Sequence, residues 1–308
     1  MIGWAAETTL DVEYSHAMAP GANIVLLETP VAETEGTVGF PQIVAAENYA
    51  INHHLGDVIS QSFGATEETF PSVSSLLKLR SAYISAAAHH ISVLASSGDA
   101  GVTDAHFNEV TLYTHRVTQW PSTDPLVTSV GGLQLHLNGQ GDRIRPDNVW
   151  NDTNVLGSPA AGGGGRSAVF ARPSYQNGVS KVVGSHRGTP DISLSAAVDG
   201  SAIIYLSFIA PGFYTIAGTS EACPQLAGIV AIADQAAGHD LGLLNPKLYA
   251  LGSGGPGIPD ITIGNNTVTF TQNGHDVTVP GFNAVPGYDM ASGLGTVDAA
   301  KLVAELAK

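Results

Sequence analysis

The chain has 308 residues, with 12 Lys and Arg against 27 Asp and Glu, for a formal net charge of −15 at pH 7. Only 13% of residues are charged while 44% are hydrophobic, which excludes an intrinsically disordered chain and leaves ample apolar content for a core. Basic residues are too scarce and scattered for a phosphate-tracking nucleic-acid binder, and no apolar run reaches the ~18 residues of a membrane-spanning helix.

In chain order, residues 23–27 read as a buried strand, 42–54 as a helix, 57–63 as a second strand and 72–90 as a long helix. Residues 91–97 read as a third strand. Continuous apolar strands between helices predict an α/β fold whose mostly parallel sheet is covered on both faces. From Gly101 to Gly218 the text is irregular and rich in Gly, Pro, Ser and Thr, with short apolar runs such as 126–130. The run Gly162-Gly163-Gly164-Gly165 reads as a flexible loop. Helical pattern returns at 221–237 and 297–307. No composition shift marks a boundary, so residues 1–308 are read as one domain.

Cys223 is the only cysteine, so no intramolecular disulfide forms. Met1-Ile2-Gly3-Trp4-Ala5-Ala6 runs directly into Glu7, without the basic and apolar segments of a signal peptide. Protonating all 11 His would bring the formal charge toward −4. A Lys- and Arg-poor chain gathers little positive self-repulsion in acid. That suits an acidic milieu; compositional drift accounts for it equally well.

Three features carry chemistry. In Gly218-Thr219-Ser220-Glu221-Ala222-Cys223-Pro224 a serine stands where a loop enters a helix. Its hydroxyl is then near the positive helix end, as suits a nucleophile, although spacing alone favours an ordinary N-cap. Glu7 and Asp11 are four apart and share a helix face. Neighbouring carboxyls push each other's pKa values apart, which is useful for proton transfer, although such pairs also occur on solvated faces. Asp99, in Ser97-Gly98-Asp99-Ala100-Gly101, follows the end of an apolar strand, where parallel sheets place ligands and where turn aspartates are also common. No G-x-S-x-G elbow is present, and His186-Arg187-Gly188-Thr189 interposes an Arg in a His-Gly-Thr setting. The pairs His53-His54 and His89-His90 stand at helix ends, where they complete the dipole, with no carboxylate or Cys spaced to make a metal site.

Together these residues resemble the sedolisins, the serine-carboxyl peptidases of subtilisin-like fold. The likeness runs in order through Glu7-x-x-x-Asp11, Val58 to Gly64, Ser97 to Gly101 and Pro121-Ser122-Thr123-Asp124-Pro125 with Val130-Gly131-Gly132. It continues through Val149-Trp150-Asn151-Asp152, Arg187-Gly188-Thr189-Pro190-Asp191-Ile192-Ser193 and Gly218-Thr219-Ser220 with Pro224. The resemblance implies a three-layer α/β fold and peptide-bond hydrolysis through an acyl-enzyme on Ser220. Glu7 would be the general base, Asp11 its partner and Asp99, protonated, an oxyanion donor. Ser62, Phe63 and Gly64 would pair with an extended peptide or protein substrate. It also implies one structural Ca2+, with carboxylate oxygens from Asp260 and Asp289 and main-chain carbonyls from Ile261, Val285 and Gly287. A monomeric, extracellular enzyme acting in acid is expected, near a carboxylate pKa of ~4.

The sequence departs from that family in four places. Only six residues precede Glu7, so an early strand and helix and the inhibitory prosegment are expected to be absent from this chain. Phe63 stands where some members have a Trp bonded to an additional upstream Glu. Arg166 replaces a small or apolar residue, either altering a subsite or lying exposed. Val285 stands where Gly is frequent, which could change the backbone angle there. A non-catalytic scaffold that binds without cleaving is therefore the alternative, ahead of a Ser/His/Asp enzyme.

Overall fold

The computed structural model describes residues 2–308. Its central sheet runs Val58–Gln61, Ser92–Ser96, Thr128–Gln134, with all three strands parallel and Ile192–Ser195 parallel on the third. Asn148–Val149 pairs antiparallel with the far end of Thr128–Gln134. Ser92–Ser96 is buried at every position, as expected for a strand covered on both faces.

The long helix Thr219–Ala237 covers one face. Its Ala222, Cys223, Leu226 and Val230 pack with Leu94, Val130 and Ile192 of the sheet. Phe40–Asn52 and Ser81–Ala88 cover the other face, where Phe40, Ile51, Tyr83 and Trp120 form a second core with Val93 and Ala95. The first helix, Ile2–Met18, lies outside the long helix. A Cβ on Gly228 would stand 2.5 Å from Met18 Cβ and 3.0 Å from Ser15 O, so glycine is what allows this close crossing. On its other side Leu10 packs into the antiparallel hairpin Ala202–Leu206 and Gly212–Ile216. The first helix is thus fixed between two elements that flank residue 220.

Three sequence expectations need correction. Residues 23–27 form no strand, and Ile24, Val25 and Leu26 are 41–52% exposed. Among the described residues the strand Val58–Gln61 pairs only with Ser92–Ser96, so this apolar run has no ladder to join, and without ladder bonds an extended segment gains nothing from ordering. The expected helix over 72–90 is broken into Val73–Leu77, a 3-10 turn at Lys78–Arg80 and Ser81–Ala88. Arg80 at the break reaches out to Asp124, at 2.5 and 2.9 Å. Finally, Gly162 to Gly165 are buried rather than flexible. A Cβ on Gly163 would meet Ser97 O at 2.1 Å and one on Gly164 would meet Met290 O at 2.1 Å, so the run is a strip of backbone threaded through close-packed main chain.

Candidate active site

Ser220 lies in the first turn of the long helix, after Gly218 at φ 139°. The long helix and the sheet bring the C-terminal ends of Val58–Gln61 and Ser92–Ser96 beside it. From those ends come Ser62 and Asp99. Ser62, Phe63, Gly64, Gly98, Asp99, Thr219 and Ser220 line one open cleft of about 300 Å³, together with Ser96, Ala100, Asp104, Gln119 and Pro159.

Asp99 is held against the head of the long helix. Its Oδ1 accepts the Thr219 backbone N–H at 2.7 Å and the Thr219 hydroxyl at 2.7 Å. Its own turn is clamped by the glycine strip: Ala161 N–H donates to Asp99 O (2.9 Å), Gly163 N–H to Gly98 O (2.8 Å) and Gly101 N–H to Ala161 O (2.8 Å). Asp99 is exposed to the cleft as a residue, while its carboxyl is enclosed against the head of the long helix by Gly218 and Thr219. That enclosure raises its pKa above the ordinary carboxylate value, against the pull of both Thr219 bonds.

Glu7 and Asp11 project from the first helix behind Ser62 and Ser220. Ser62 Oγ donates to Asp11 Oδ1 at 2.7 Å and lies 3.5 Å from Ser220 O. Burial raises Glu7 to about 7; the Ser220 hydroxyl opposes the rise and the charge of Asp99 adds to it. Burial raises Asp11 to about 8, Glu7 adds to the rise, and Ser62 opposes it. The two carboxyls are one coupled system that keeps a proton well above pH 4. Glu7 Oε1 is buried without a hydrogen-bond partner among the described residues. An orphaned carboxylate oxygen beside a serine hydroxyl is equipped to take a proton.

Phe63 packs edge-on against Phe40, with ring centroids 6.3 Å apart, so the position is filled by core contact rather than by a polar bond. Arg166 is exposed and donates to Val182 O at 2.5 Å, outside the cleft lining. Its effect on a subsite finds no support in that position. The spacing-based reading missed Thr219, Asp104 and Gln119. Only Thr219 carried a signal, as the middle residue of the Gly-Thr-Ser motif.

The five residues expected to hold an ion lie apart from the cleft, in two loops. Gly287 N–H donates to Asp260 Oδ2 (2.9 Å) and Val285 N–H to Asp289 Oδ2 (3.0 Å). Gly287 has φ 89°, which calls for glycine, whereas Val285 is not among the positive-φ residues and its side chain is tolerated. No three His, Cys, Asp or Glu side chains converge on a metal position among the described residues, so any hard cation here would rely on carbonyls as well.

The family model for the subtilase family matches residues 2–247, and the chain belongs to that family. Within it the chain is of the sedolisin type. It is 33% identical over 297 residues to kumamolisin of Bacillus sp. (strain MN-32), covering 94% of this chain and 49% of that protein. It is 32% identical over 271 residues to sedolisin of Pseudomonas sp. (strain 101), covering 87% and 43%. The solved structure of Pseudomonas sedolisin, a serine-carboxyl proteinase complexed with two molecules of pseudo-iodotyrostatin, superposes with a TM-score of 0.77 at 29% identity. The match covers 97% of this chain and 77% of that one. The chain spans about half the length of the curated relatives it matches.

Proposed function

We propose that this chain is a serine-carboxyl peptidase domain that hydrolyses peptide bonds through an acyl-enzyme on Ser220. The observation that carries the reading is the convergence of the Glu7–Asp11 pair, Ser220 and the Thr219-bound Asp99 on one side of the cleft that Ser62, Phe63 and Gly64 border.

In this reading Glu7 takes the Ser220 proton as Oγ attacks the scissile carbonyl, then returns it to the leaving amine. Asp11 holds Glu7 in its reactive protonation state. Asp99 carries its proton and donates to the carbonyl oxygen as negative charge builds there, as a raised carboxyl pKa permits. The Ser220 N–H is the second donor, since the first turn of a helix leaves its N–H groups free. Ser62 to Gly64 takes the substrate as an added extended strand. Monomeric action in an acidic, extracellular setting belongs to the same reading. No helix among the described residues is long and apolar enough to cross a membrane.

A structural Ca2+ held by Asp260, Asp289 and the carbonyls of Ile261, Val285 and Gly287 is part of the proposal. The residues fit the ion: Asp260 Oδ1 is buried and unpartnered, and those three carbonyls accept no hydrogen bond among the described residues. Hard oxygen donors of this kind suit calcium, which would tie the two loops together.

The scaffold reading, binding without cleavage, is favoured by one observation, the outer edge of Val58–Gln61, which pairs with no strand among the described residues while Ile24, Val25 and Leu26 stand exposed. One experiment separates the two: hydrolysis of an internally quenched peptide from about pH 3 to 8 by the wild-type chain and by Ser220→Ala, Glu7→Gln and Asp99→Asn. Each variant is expected to abolish turnover while keeping the wild-type circular dichroism spectrum. Substantial turnover by Ser220→Ala would sink the mechanism, and peptide binding without turnover by the wild type would favour the scaffold.

A further inference from the structure

Glu67 is a buried carboxylate, 5% exposed, with no cation paired to it among the described residues. Four donors fill its two oxygens. Ser167 Oγ and Thr123 Oγ1 each reach Oε1 at 2.6 Å, while Ala168 N–H and Thr118 Oγ1 reach Oε2 at 2.6 and 3.3 Å. The Ser167 hydroxyl oxygen already accepts the N–H groups of Val169 (3.0 Å) and Phe170 (2.8 Å), so its proton is committed to Glu67. Burying an unpaired carboxylate is costly, and only such a full set of donors makes it tolerable.

Thr118 and Thr123 come from the segment whose Gln119 lines the cleft, while Ser167 and Ala168 follow the glycine strip behind the Asp99 turn. Glu67 itself follows Ala65–Thr66, the continuation of Ser62 to Gly64. Ala65 and Thr66 pair with Trp120 and Gln119, and that short strand is flanked by Thr118 and Thr123. Gln119 Oε1 would stand 3.1 Å from a Cβ on Gly64 and 2.9 Å from one on Gly98, wedged between the two cleft walls. Ser167 and Ala168 close the glycine strip whose Ala161 and Gly163 clamp the Asp99 turn.

We infer that Glu67 is a positioning residue of this peptidase, a carboxyl acceptor whose four bonds hold the substrate-binding strand, the Gln119 strand and the glycine strip that fixes Asp99 in a single arrangement. It touches neither substrate nor Ser220 and acts through the Asp99 turn. Glutamine is a poor replacement. Either orientation of its amide turns an NH2 toward the Ser167 hydroxyl, which is already committed as a donor, or toward the Ala168 N–H, which cannot rotate.

The kinetic arm of the test rests on the peptidase reading; the exchange arm does not. Amide hydrogen exchange in Glu67→Gln should be faster than wild type by about tenfold or more at Gly101, Ala161 and Gly163. Leu94 and Val130 in the sheet should change no more than overall stability requires. In turnover, kcat should fall about 10- to 100-fold with KM within about threefold, because transition-state stabilisation rather than binding is lost. The alkaline limb of the pH–rate profile should move to lower pH as the Asp99 turn loosens and admits water. A purely structural role would lower the folded fraction without moving that limb. If the variant does not fold, Ser167→Ala and Thr123→Val each remove one donor and should show the same pattern in smaller measure. Wild-type exchange at Gly101, Ala161 and Gly163 in every folded variant overturns the inference. A wild-type chain without turnover would count against the peptidase reading and leave the exchange result to decide this one.

Discussion

The Ser62 hydroxyl donates to Asp11 Oδ1 at 2.7 Å, joining the end of the edge strand to the first helix. It opposes the burial and the Glu7 charge that together lift Asp11 to about 8. Ser62→Ala removes it, so Asp11 should titrate higher still. A hydrogen bond to a carboxylate contributes about 1.5–3 kcal/mol, or roughly one to two pH units. In the proposed mechanism Glu7 acts as a base only once the pair has lost a proton. The acid limb of kcat/KM should therefore move to higher pH by up to that amount in Ser62→Ala. For the same reason the wild-type optimum should lie above the value near pH ~4 expected of free carboxylates. A coincident acid limb in wild type and variant, or a wild-type optimum at or below that value, contradicts the assignment.

Much of this site was legible in the sequence, and what was not has physical causes. Glu7 and Asp11 share one helix, while Asp99 and Ser220 come from far along the chain; spacing left each with an ordinary alternative, and the ordered likeness to the sedolisins singled them out. Thr219 bonding Asp99, and Glu67 gathering donors from residues 118 to 168, are contacts between elements that no local pattern encodes. Residues 23–27 misled because apolar periodicity reports the capacity to be buried, not the presence of a neighbouring strand. The four glycines misled for the converse reason. Low complexity looks the same whether glycine serves freedom or close approach, and here Gly163 would place a Cβ 2.1 Å from Ser97 O.

Glu47 is 4% exposed in the Phe40–Asn52 helix, with neither carboxyl oxygen hydrogen-bonded among the described residues. Burial alone raises its pKa from 4.5 to about 8. Because the folded value is the higher one, its contribution to stability is complete below the unfolded value and is lost as pH rises through the folded value. Between the two, the unfolded chain releases a proton that the native chain keeps, at a cost approaching roughly 3–5 kcal/mol. The Tm of the wild type should fall from acid toward pH 8, and Glu47→Gln should flatten that fall. Glu7, Glu33, Glu35 and Glu221 are raised to about 7 and act in the same direction, so the difference between the two curves isolates Glu47. Parallel curves would show that the residue ionises freely in the fold.

Calcium should bind where Asp260 and Asp289 bracket the loop at 285–287. If it does, a chelator lowers the wild-type Tm by several degrees and calcium restores it, since a ligand that binds only the native state stabilises it by mass action. Asp289→Ala removes the carboxylate that holds Val285, Ala291 and Ser292 N–H groups, so its Tm should be low from the start. The informative quantity is the further effect of chelator on that variant, which should be close to none. An equal chelator shift in both proteins would exclude this site.

The two ends of the Ser220 helix offer the sharpest separation of stability from activity. Gly218 at its head and Gly238 at its tail both have positive φ, 139° and 73°, so alanine is strained at either position by about 1–3 kcal/mol. Their surroundings differ. Nothing lies within 4 Å of a Cβ on Gly238, whereas one on Gly218 would stand 2.5 Å from Asp99 Oδ2. Gly218→Ala must therefore displace the Asp99 carboxyl or the turn that carries Thr219 and Ser220. Removing one oxyanion donor reduces turnover about 100-fold or more. Thermal melts should show both variants destabilised, Gly218→Ala the more because of its clash, and peptide hydrolysis should show kcat collapsing only in Gly218→Ala. Full activity in a folded Gly218→Ala protein would mean that Asp99 is not held against the helix head during catalysis.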